Sequence, residues 1–177
     1  MRPRRVVDLG ANNGAFSRLA KDAELVISAD IDPLAVEYNY RQVKKNSEAN
    51  LLPLLIDLTN PSPDLGWANL ERSRFGQRAQ GDLVLALALI HHLAIGNNLP
   101  LEAAAEYFAQ LAPNLIIEFV PKSDSQAQRL LAAREDIFHN YTQAGFEAAF
   151  GKVYKIVKQQ PVKDSQRIIY LMRRLGD

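Results

Sequence analysis

The chain has 177 residues, of which 47% are hydrophobic and 23% charged, values typical of a globular domain rather than a disordered segment. It contains no cysteine, which excludes disulfides, thiolate catalysis and cysteine-ligated metals. The formal net charge of +1 neither demands nor excludes a polyanionic partner, but the sequence shows no basic face interleaved with aromatics, which argues against nucleic acid as the primary ligand. The longest apolar run, Leu83–Ile90, is too short to span a bilayer, and no signal-peptide hydrophobic region follows Met1. We therefore expect no membrane partner and a cytoplasmic location.

The first predicted element is a strand over Val6–Leu9, followed at once by a turn built from Gly10, Asn12, Asn13 and Gly14. Glycine and asparagine tolerate left-handed backbone better than most residues. Apolar residues then recur at helical spacing and predict a helix over Ala15–Asp22; they are Phe16, Leu19, Ala20 and Ala23. A strand, a tight turn and a helix together predict a site where a ligand approaches main chain at a helix N-terminus.

Strands and helices alternate along the rest of the chain. Further strands are predicted over Leu25–Ala29, Leu52–Ile56, Leu83–Ile90 and Leu115–Val120. Helices are predicted after an Asp32 cap with Pro33 first, over Leu101–Ala112, after a Ser123 cap to Ala133, and over Thr142–Phe150. The helix after Asp32 should end near Lys45 and bury a stripe of Val36, Tyr40 and Val43. The segment Leu58–Gly81 is irregular, with a short polar helix expected within Leu65–Arg78.

The last two predicted strands have a different connection. Only four residues separate the strand-like segments Val153–Val162 and Arg167–Arg173, namely Lys163, Asp164, Ser165 and Gln166. No helix fits between them, so they should pair as an antiparallel hairpin. The sequence therefore predicts an α/β fold of five βα units followed by a hairpin.

The turn at residues 10–14 can be compared with two kinds of nucleotide-binding site, and it matches one better than the other. A dinucleotide-binding turn requires G-x-G-x-x-G and an acid about 20 residues later for the ribose. Asp30 lies 20 residues after Gly10, but Asn13 stands at the third position of the glycine pattern. The residues present are Asp8-x-Gly10-x-Asn12-x-Gly14. An oxidoreductase using NAD is therefore a weaker alternative.

This pattern resembles the first motif of the class I S-adenosylmethionine-dependent methyltransferases, with Asn12 where the family has its middle glycine. The resemblance implies that Asp8 holds the turn or meets the methionyl ammonium through water. It implies that Asp30, with Ile31 beside it, binds both ribose hydroxyls. Asp57 would accept from the adenine amino group, and the Leu58 N–H would donate to an adenine ring nitrogen. Read without the resemblance, Asp8 is a turn former and Asp30 belongs to helix capping.

Later segments extend the resemblance over nearly the whole chain. Asp82-Leu83-Val84 and Ile90-His91-His92-Leu93 are similar to the family's D-x-V and L-H-H-L positions. Asp82 begins its strand, away from the ligand edge, and is expected to be structural. The implied fold is a three-layer α/β/α sandwich, with a Rossmann-like, mostly parallel seven-stranded sheet and an antiparallel C-terminal hairpin.

The resemblance implies an enzyme that transfers a methyl group from S-adenosylmethionine to an unidentified O, N or C acceptor, without a metal. The pattern is most similar to methyltransferase domains of larger bacterial proteins, including the nodulation-protein-like group. Because the first strand begins so close to Met1, we expect residues 1–177 to be a single domain of a longer chain, with further domains of that chain as partners. A non-catalytic module that binds S-adenosylmethionine or a partner remains the alternative.

Several residues outside the motif are candidates for the acceptor side. His91 or His92 could take a proton from the acceptor; alternatively, one of them packs under the following helix and bonds backbone. Contacts to substrate or cofactor are also proposed for Trp67, Asn69 and Arg72, although Trp67 could instead anchor its loop. Glu118, inside an apolar strand, needs a hydrogen-bond partner or solvent and could contact the substrate.

Overall fold

The computed structural model describes residues 2–176. Its strands are β1 (Arg5–Leu9), β2 (Leu25–Asp30), β3 (Leu51–Leu55), β4 (Leu83–Ala86), β5 (Asn114–Phe119), β6 (Tyr154–Pro161) and β7 (Ile168–Arg174). Its α-helices are α1 (Pro33–Asn46), α2 (Phe75–Arg78), α3 (Leu101–Leu111), α4 (Ser125–Leu131) and α5 (Gln143–Phe150). Two short 3-10 turns, Ser17–Ala20 and Trp67–Asn69, and a π-helical turn, His92–Gly96, complete the elements.

The chain divides into two compact units. The first reaches to Leu85 and includes Gln110–Ala112. Its strands are parallel and lie in the order β3-β2-β1-β4. Val6, Val7 and Leu9 in β1 are fully buried, and this buried strand is apolar apart from Arg5 at its start and Asp8.

Helix α1 begins as the sequence predicts. Asp32 accepts a hydrogen bond from the Leu34 N–H at 2.9 Å, and Pro33 occupies the first turn. The predicted buried stripe is wrong at Tyr40, which is 50% exposed. The side chain fully buried on this helix is Asn39, which takes part in a polar network described below.

The helix predicted over Ala15–Asp22 is wrong: the segment forms only a four-residue 3-10 turn, Ser17–Ala20. Phe16 and Leu19 are 51% and 80% exposed, whereas the small polar Ser17 is fully buried. The spacing of the apolar residues therefore misidentified the inward face. Ser17 turns inward because its hydroxyl bonds the buried carboxylate of Asp8.

The second unit comprises Ala86–Ala109 and the chain from Pro113 onward. Its strands are antiparallel in the order β5-β7-β6, so the predicted terminal hairpin is confirmed, and β7 pairs with β5. Phe146 of α5 packs its ring against Phe119, Phe150 and Tyr170, with ring centroids 4.5 to 5.2 Å apart.

Two sequence-based boundaries in the second unit change. The cap of α4 is Asp124, which accepts the Gln126 N–H at 2.9 Å. The predicted cap, Ser123, instead donates its hydroxyl hydrogen to Gln166 at 2.5 Å. Asp124 is also charge-paired with Arg167, which the linear sequence does not indicate.

The fourth strand is shorter than predicted. It ends at Ala86, and the apolar residues up to Ile90 continue into a turn and a short helical segment. A short, continuously apolar run is equally compatible with a buried strand and a buried helical turn, so periodicity could not separate them. His91 and His92 accordingly lie in a helical turn rather than at the end of a strand.

The predicted α/β fold class, with mostly parallel strands and an antiparallel C-terminal hairpin, is confirmed: the strands of the first unit are parallel, and β6 and β7 of the second unit form the hairpin. Within residues 2–176 no helix has the length and apolar character that crossing a membrane requires.

Asp82 performs the structural task expected of it, because its Oδ2 accepts the backbone N–H groups of Arg4 and Arg5 at 2.7 and 2.9 Å. Replacing it in Asp82→Ala should lower the free energy of unfolding by about 1–2 kcal/mol, since two charge-assisted hydrogen bonds at the start of β1 are lost. Urea unfolding followed by circular dichroism measures this. The matched control is Asp22→Ala, an exposed acid whose loss should change the free energy by less than about 0.5 kcal/mol.

Candidate cofactor site

The turn after β1 has left-handed backbone at three positions. The φ angles are 71° at Gly10, 48° at Asn12 and 76° at Gly14. Asparagine is one of the few non-glycine residues that adopt this conformation at low cost, so Asn12 is compatible with the turn without a glycine. The Asn12 N–H donates to Asp30 Oδ2 at 2.7 Å and thereby connects the turn to the end of β2.

Every backbone N–H from residue 10 to residue 15 has a partner inside the protein. Four of these six N–H groups donate to β2 or to the turn's own main chain, and two donate to side chains of the turn itself. The pairs are Gly10 and Ala11 with Ala29 O, Asn12 with Asp30 Oδ2, Asn13 with Asn12 Oδ1, Gly14 with Ala11 O, and Ala15 with Asn13 Oδ1. None of these N–H groups is therefore free to donate to a ligand, and a four-residue 3-10 turn follows in place of the predicted helix. Toward a ligand, the turn can offer carbonyl oxygens and carboxylates.

Gly14 is required by the space around it as well as by its backbone angle. A Cβ at this position would lie 2.5 Å from Asn39 Oδ1 and 2.7 Å from Arg18 Nη1. Arg18 also donates to the carbonyl oxygens of Asn13 and Gly14, both at 3.0 Å, and pairs with Glu48. The turn is thus held by side chains packed directly beneath it.

Asp8 is the buried acid of the site, only 2% exposed. Its Oδ2 accepts the hydroxyl hydrogen of Ser17 at 2.5 Å. Burial raises the pKa of the Asp8 carboxyl from 3.8 to about 6, an effect that the Ser17 hydrogen bond opposes and the nearby charge of Asp30 increases. Asp8 is therefore ionised at neutral pH but close to its titration range.

The cap of α1 is Asp32, while Asp30 bonds backbone on both sides of the end of β2. Its Oδ2 accepts the Asn12 N–H, and its Oδ1 accepts the Asp32 N–H at 2.9 Å, just before α1. A carboxylate has about four acceptor positions, so two remain for ligand hydroxyl groups. Asp30 thus shapes the turn and retains the capacity to bind a ribose.

Asp57 lies after β3 and organises its own turn. Its Oδ1 accepts both the N–H and the hydroxyl of Thr59, at 2.8 and 2.7 Å, and these bonds lower the pKa of Asp57. Neither bond uses Oδ2. Ile31, next to Asp30, is 64% exposed and gives this part of the unit an apolar surface, while Leu58 is partly buried.

His91 and His92 lie in the second unit with their rings in contact, at a centroid distance of 4.2 Å. His91 is 1% exposed and neither ring nitrogen has a hydrogen-bond partner, whereas His92 is exposed. Burial lowers the pKa of His91 to about 4, with a smaller contribution from His92. His91 is therefore buried as the sequence alternative supposed, but without the expected bond to backbone.

Glu118 finds its partners within the protein. Its Oε2 accepts the Ala88 N–H at 2.7 Å, and its Oε1 lies 3.4 Å from Arg167 Nη1. Arg167 donates two hydrogen bonds to Asp124, at 2.7 and 2.9 Å, which lower the pKa of that acid. The sequence predicted the need of Glu118 for a partner, but not the Arg167–Asp124 pair.

The loop around Trp67 does not use the tryptophan as an anchor, because this side chain is 86% exposed. The loop is closed instead by backbone pairing between Leu65 and Arg72 and by Glu71, whose Oε1 accepts the Trp67 N–H at 3.0 Å. Asn69, like Ala68 before it, has left-handed backbone. Trp67, Asn69 and Arg72 remain candidates for ligand contact.

Within residues 2–176, no three histidine or acidic side chains are grouped as metal ligands would be. Hydrogen bonds join the turn to the side chains of Asp30 and Arg18. A separate buried chain of hydrogen bonds joins Asp8 to three residues that sequence reasoning missed, namely Ser17, Ser28 and Asn39. The signal that could have found them is a polar residue inside each of two buried, paired strands, since Asp8 is opposite Ser28.

No protein-family model matches the chain. The nodulation protein NoeA of Rhizobium meliloti (strain 1021) is 42% identical over 175 residues, which are 98% of this chain but only 37% of NoeA. Among solved structures, magnesium protoporphyrin IX methyltransferase (ChlM) from Synechocystis PCC 6803, solved with S-adenosylmethionine bound, matches 96% of this chain and 69% of its own, with a TM-score of 0.64 and 20% identity. The chain has the class I methyltransferase fold. The 16S rRNA methylase RmtB matches 97% of this chain and 56% of its own, with a TM-score of 0.63 and 16% identity.

These findings confirm the resemblance stated from the sequence, both to class I methyltransferases and to the nodulation-protein-like group. At identities of 16–20%, the similarity to the solved structures is evidence for the fold alone. The chain spans only 37% of the length of NoeA, so this similarity does not extend to the activity of the whole protein.

The raised pKa of Asp8 predicts how stability depends on pH. The folded state holds this proton more tightly than the unfolded state, so the free energy of unfolding should fall by about 2 kcal/mol as pH rises from 4 to 6. In Asp8→Asn this fall should be absent, and the variant should equal or exceed the original protein in stability at pH 7. Urea unfolding at pH 4, 5, 6 and 7 measures both curves. Asp22→Asn, an exposed acid, serves as the control; a variant curve parallel to the original would contradict the prediction.

Proposed function

We propose that this chain binds S-adenosylmethionine at the turn after β1 and acts as a methyltransferase. The observation that carries the proposal is the polarity of the turn: its N–H donors from residue 10 to residue 15 are all used internally, which leaves acceptor groups for the ligand. The ammonium group, the ribose hydroxyls and the adenine amino group of S-adenosylmethionine all require acceptors. The class I methyltransferase fold and the S-adenosylmethionine bound to ChlM support the same proposal.

The same polarity disfavours a nicotinamide dinucleotide. A pyrophosphate is bound through free N–H groups at a helix N-terminus, but here the N–H groups are occupied and the segment that follows is a four-residue 3-10 turn. Asp8, Asp30 and Asp57 would also place negative charge near the phosphates. Dinucleotide binding therefore receives no support from this geometry.

Different residues of the first unit would contact different parts of the cofactor. Asp30 would bind both ribose hydroxyls through its remaining acceptor positions, and Ile31 would pack beside the nucleoside. Asp57 would accept from the adenine amino group through Oδ2, with the Leu58 N–H donating to a ring nitrogen. Asp8 would hold the turn and face the ammonium group. Gly10, Asn12 and Gly14 give the cofactor access to main chain at left-handed positions.

When bound, S-adenosylmethionine supplies an electrophilic methyl group, whose C–S bond breaks as a bond to the acceptor's O, N or C atom forms. The protein's part is chiefly to align the acceptor and exclude water. His91 and His92 are the candidates to receive the acceptor's proton. The lowered pKa of His91 keeps its ring neutral above about pH 4, which leaves one nitrogen unprotonated but makes this residue a weak base at neutral pH.

The acceptor is unidentified, and RNA belongs among the candidates to be tested because RmtB is an rRNA methylase with the same fold. A binding module without catalysis is the second candidate, and it predicts cofactor binding with no methyl transfer. We retain the expectation of a cytoplasmic location, where S-adenosylmethionine is made and used.

Calorimetry with S-adenosylhomocysteine tests the cofactor proposal. The unmodified chain should bind it, and Asp30→Ala should weaken the binding by about 100-fold or more, since two charge-assisted hydrogen bonds to the ribose are lost. Asp30→Asn keeps the side-chain shape but removes the charge and should lose most of the affinity as well. Asp22→Ala should bind like the original chain. A longer protein that contains this chain and does not bind S-adenosylhomocysteine would exclude the methyltransferase proposal, and tighter binding of NAD would favour an oxidoreductase.

Catalysis is tested by transfer of tritiated methyl groups from S-adenosylmethionine to a panel of RNA, oligosaccharides and small phenols or amines. In His91→Gln and His92→Gln the rate should fall by about 100-fold, the lower end of the range for general-base catalysis, while the affinity for S-adenosylhomocysteine stays the same. The exposed His139→Gln is the matched control. Unchanged rates in both variants would remove the histidines from the reaction, and cofactor binding without transfer to any acceptor would favour the binding module.

A further inference from the structure

The geometry points to Ser17, Ser28 and Asn39 as positioning residues of the cofactor site, joined in a one-way hydrogen-bond chain that fixes the Asp8 carboxylate and the turn above it. This inference rests on the proposed function. It adds residues that neither the motif nor the comparisons assign.

The chain runs through four buried side chains from three elements and the 3-10 turn. Asn39 Nδ2 of α1 lies 2.8 Å from Ser28 Oγ of β2, and Ser28 Oγ lies 2.8 Å from Ser17 Oγ. Ser17 Oγ lies 2.5 Å from Asp8 Oδ2 of β1. The exposed fractions of the four residues are 0 to 2%. Water therefore does not compete for these bonds.

The direction of every bond in the chain is fixed by its two ends. The Asn39 NH2 group can only donate, and an ionised Asp8 can only accept. Each hydroxyl has one hydrogen, so Ser28 must donate to Ser17, and Ser17 must donate to Asp8. Hydrogen bonds aligned in one direction polarise one another and strengthen the last bond, the one to the carboxylate. The chain thus stabilises the ionised form of Asp8.

The other end of the chain supports the turn itself. Asn39 Oδ1 is buried without a hydrogen-bond partner and faces Gly14, where an added Cβ would be only 2.5 Å away. Asp8 lies two residues before Gly10, and Asn39 packs beneath Gly14, so the network supports the turn from both ends. Beneath the turn, this polar network stands where the sequence predicted the apolar face of a helix.

Few charged groups near Asp8 could also stabilise its ionised form. The other three members of the chain are uncharged, and Asp30 at the end of β2 adds a repulsive charge. In β4, the partner of Asp8 is the apolar Leu85. Arg18 beneath the turn is already paired with Glu48. A change in the titration of Asp8 upon loss of a hydroxyl can therefore be attributed to the chain.

The test measures S-adenosylhomocysteine binding by calorimetry from pH 5 to pH 8 in the original chain, Ser17→Ala and Ser28→Ala. Binding should weaken as Asp8 becomes protonated, and Ser17→Ala should move the midpoint of this loss upward by about one pH unit, since one hydrogen bond to the anion is removed. Ser28→Ala should shift it in the same direction by less. Ser73→Ala, an exposed serine, should leave the midpoint where it is. A purely structural role would lower affinity equally at every pH.

Asn39→Leu should shift the midpoint like Ser28→Ala; if it does not fold, Ser28→Ala decides the question. Carbon-13 NMR titration of the Asp8 carboxyl in the ligand-free protein follows the same shift without cofactor. An unmoved Asp8 titration in Ser17→Ala would overturn the inference while leaving the proposed function intact. If the original chain fails to bind S-adenosylhomocysteine but the NMR shift is observed, the proposed function fails and the hydrogen-bond chain stands.

Discussion

A carboxylate inside a fully buried strand is the constraint on which the first unit depends. Asp8 lies in β1 between apolar residues, and a buried charge is tolerated only where hydrogen bonds replace the lost water. Ser17 provides one of these bonds and must turn inward to do so. That requirement exposes Phe16 and Leu19 and shortens the expected helix to one 3-10 turn. The need to solvate one carboxylate internally thus overrides the helical pattern of the apolar side chains.

The same constraint explains the chemical character of the turn. With little helix after it, the turn has no row of free N–H groups, and its own donors go to Ala29, Asp30 and neighbouring side chains. What remains is a set of acceptors beside two carboxylates, Asp8 and Asp30. Such a site is electrostatically suited to a cationic, hydroxyl-bearing ligand and poorly suited to a phosphate. Which backbone groups are already hydrogen-bonded therefore indicates the kind of ligand better than the number of glycines does.

Local features were predictable from the sequence, and contacts between strands were not. The Asp32–Pro33 helix start and the terminal hairpin depend on residues adjacent in sequence, and both were predicted correctly. Asp8 and Asp30 could be placed in strands, and Asp57 shortly after one, for the same reason. The pairing of Asp8 with Ser28 depends on strand register, which no local pattern specifies. The end of β4 at Ala86 was missed because buried strands and buried helical turns share the same apolar composition.

The second unit concentrates several energetic costs in one segment, from Ala88 to Gly96. Ala88 has left-handed backbone at φ 49°, which is unfavourable for a residue with a Cβ, and Glu118 secures it by accepting its N–H. A π-helical turn follows, with its last carbonyl groups bonded by Arg134. Between these features, His91 is buried with both ring nitrogens unpaired. An apolar side chain would fill the same space without that desolvation cost, so packing alone does not account for a histidine here.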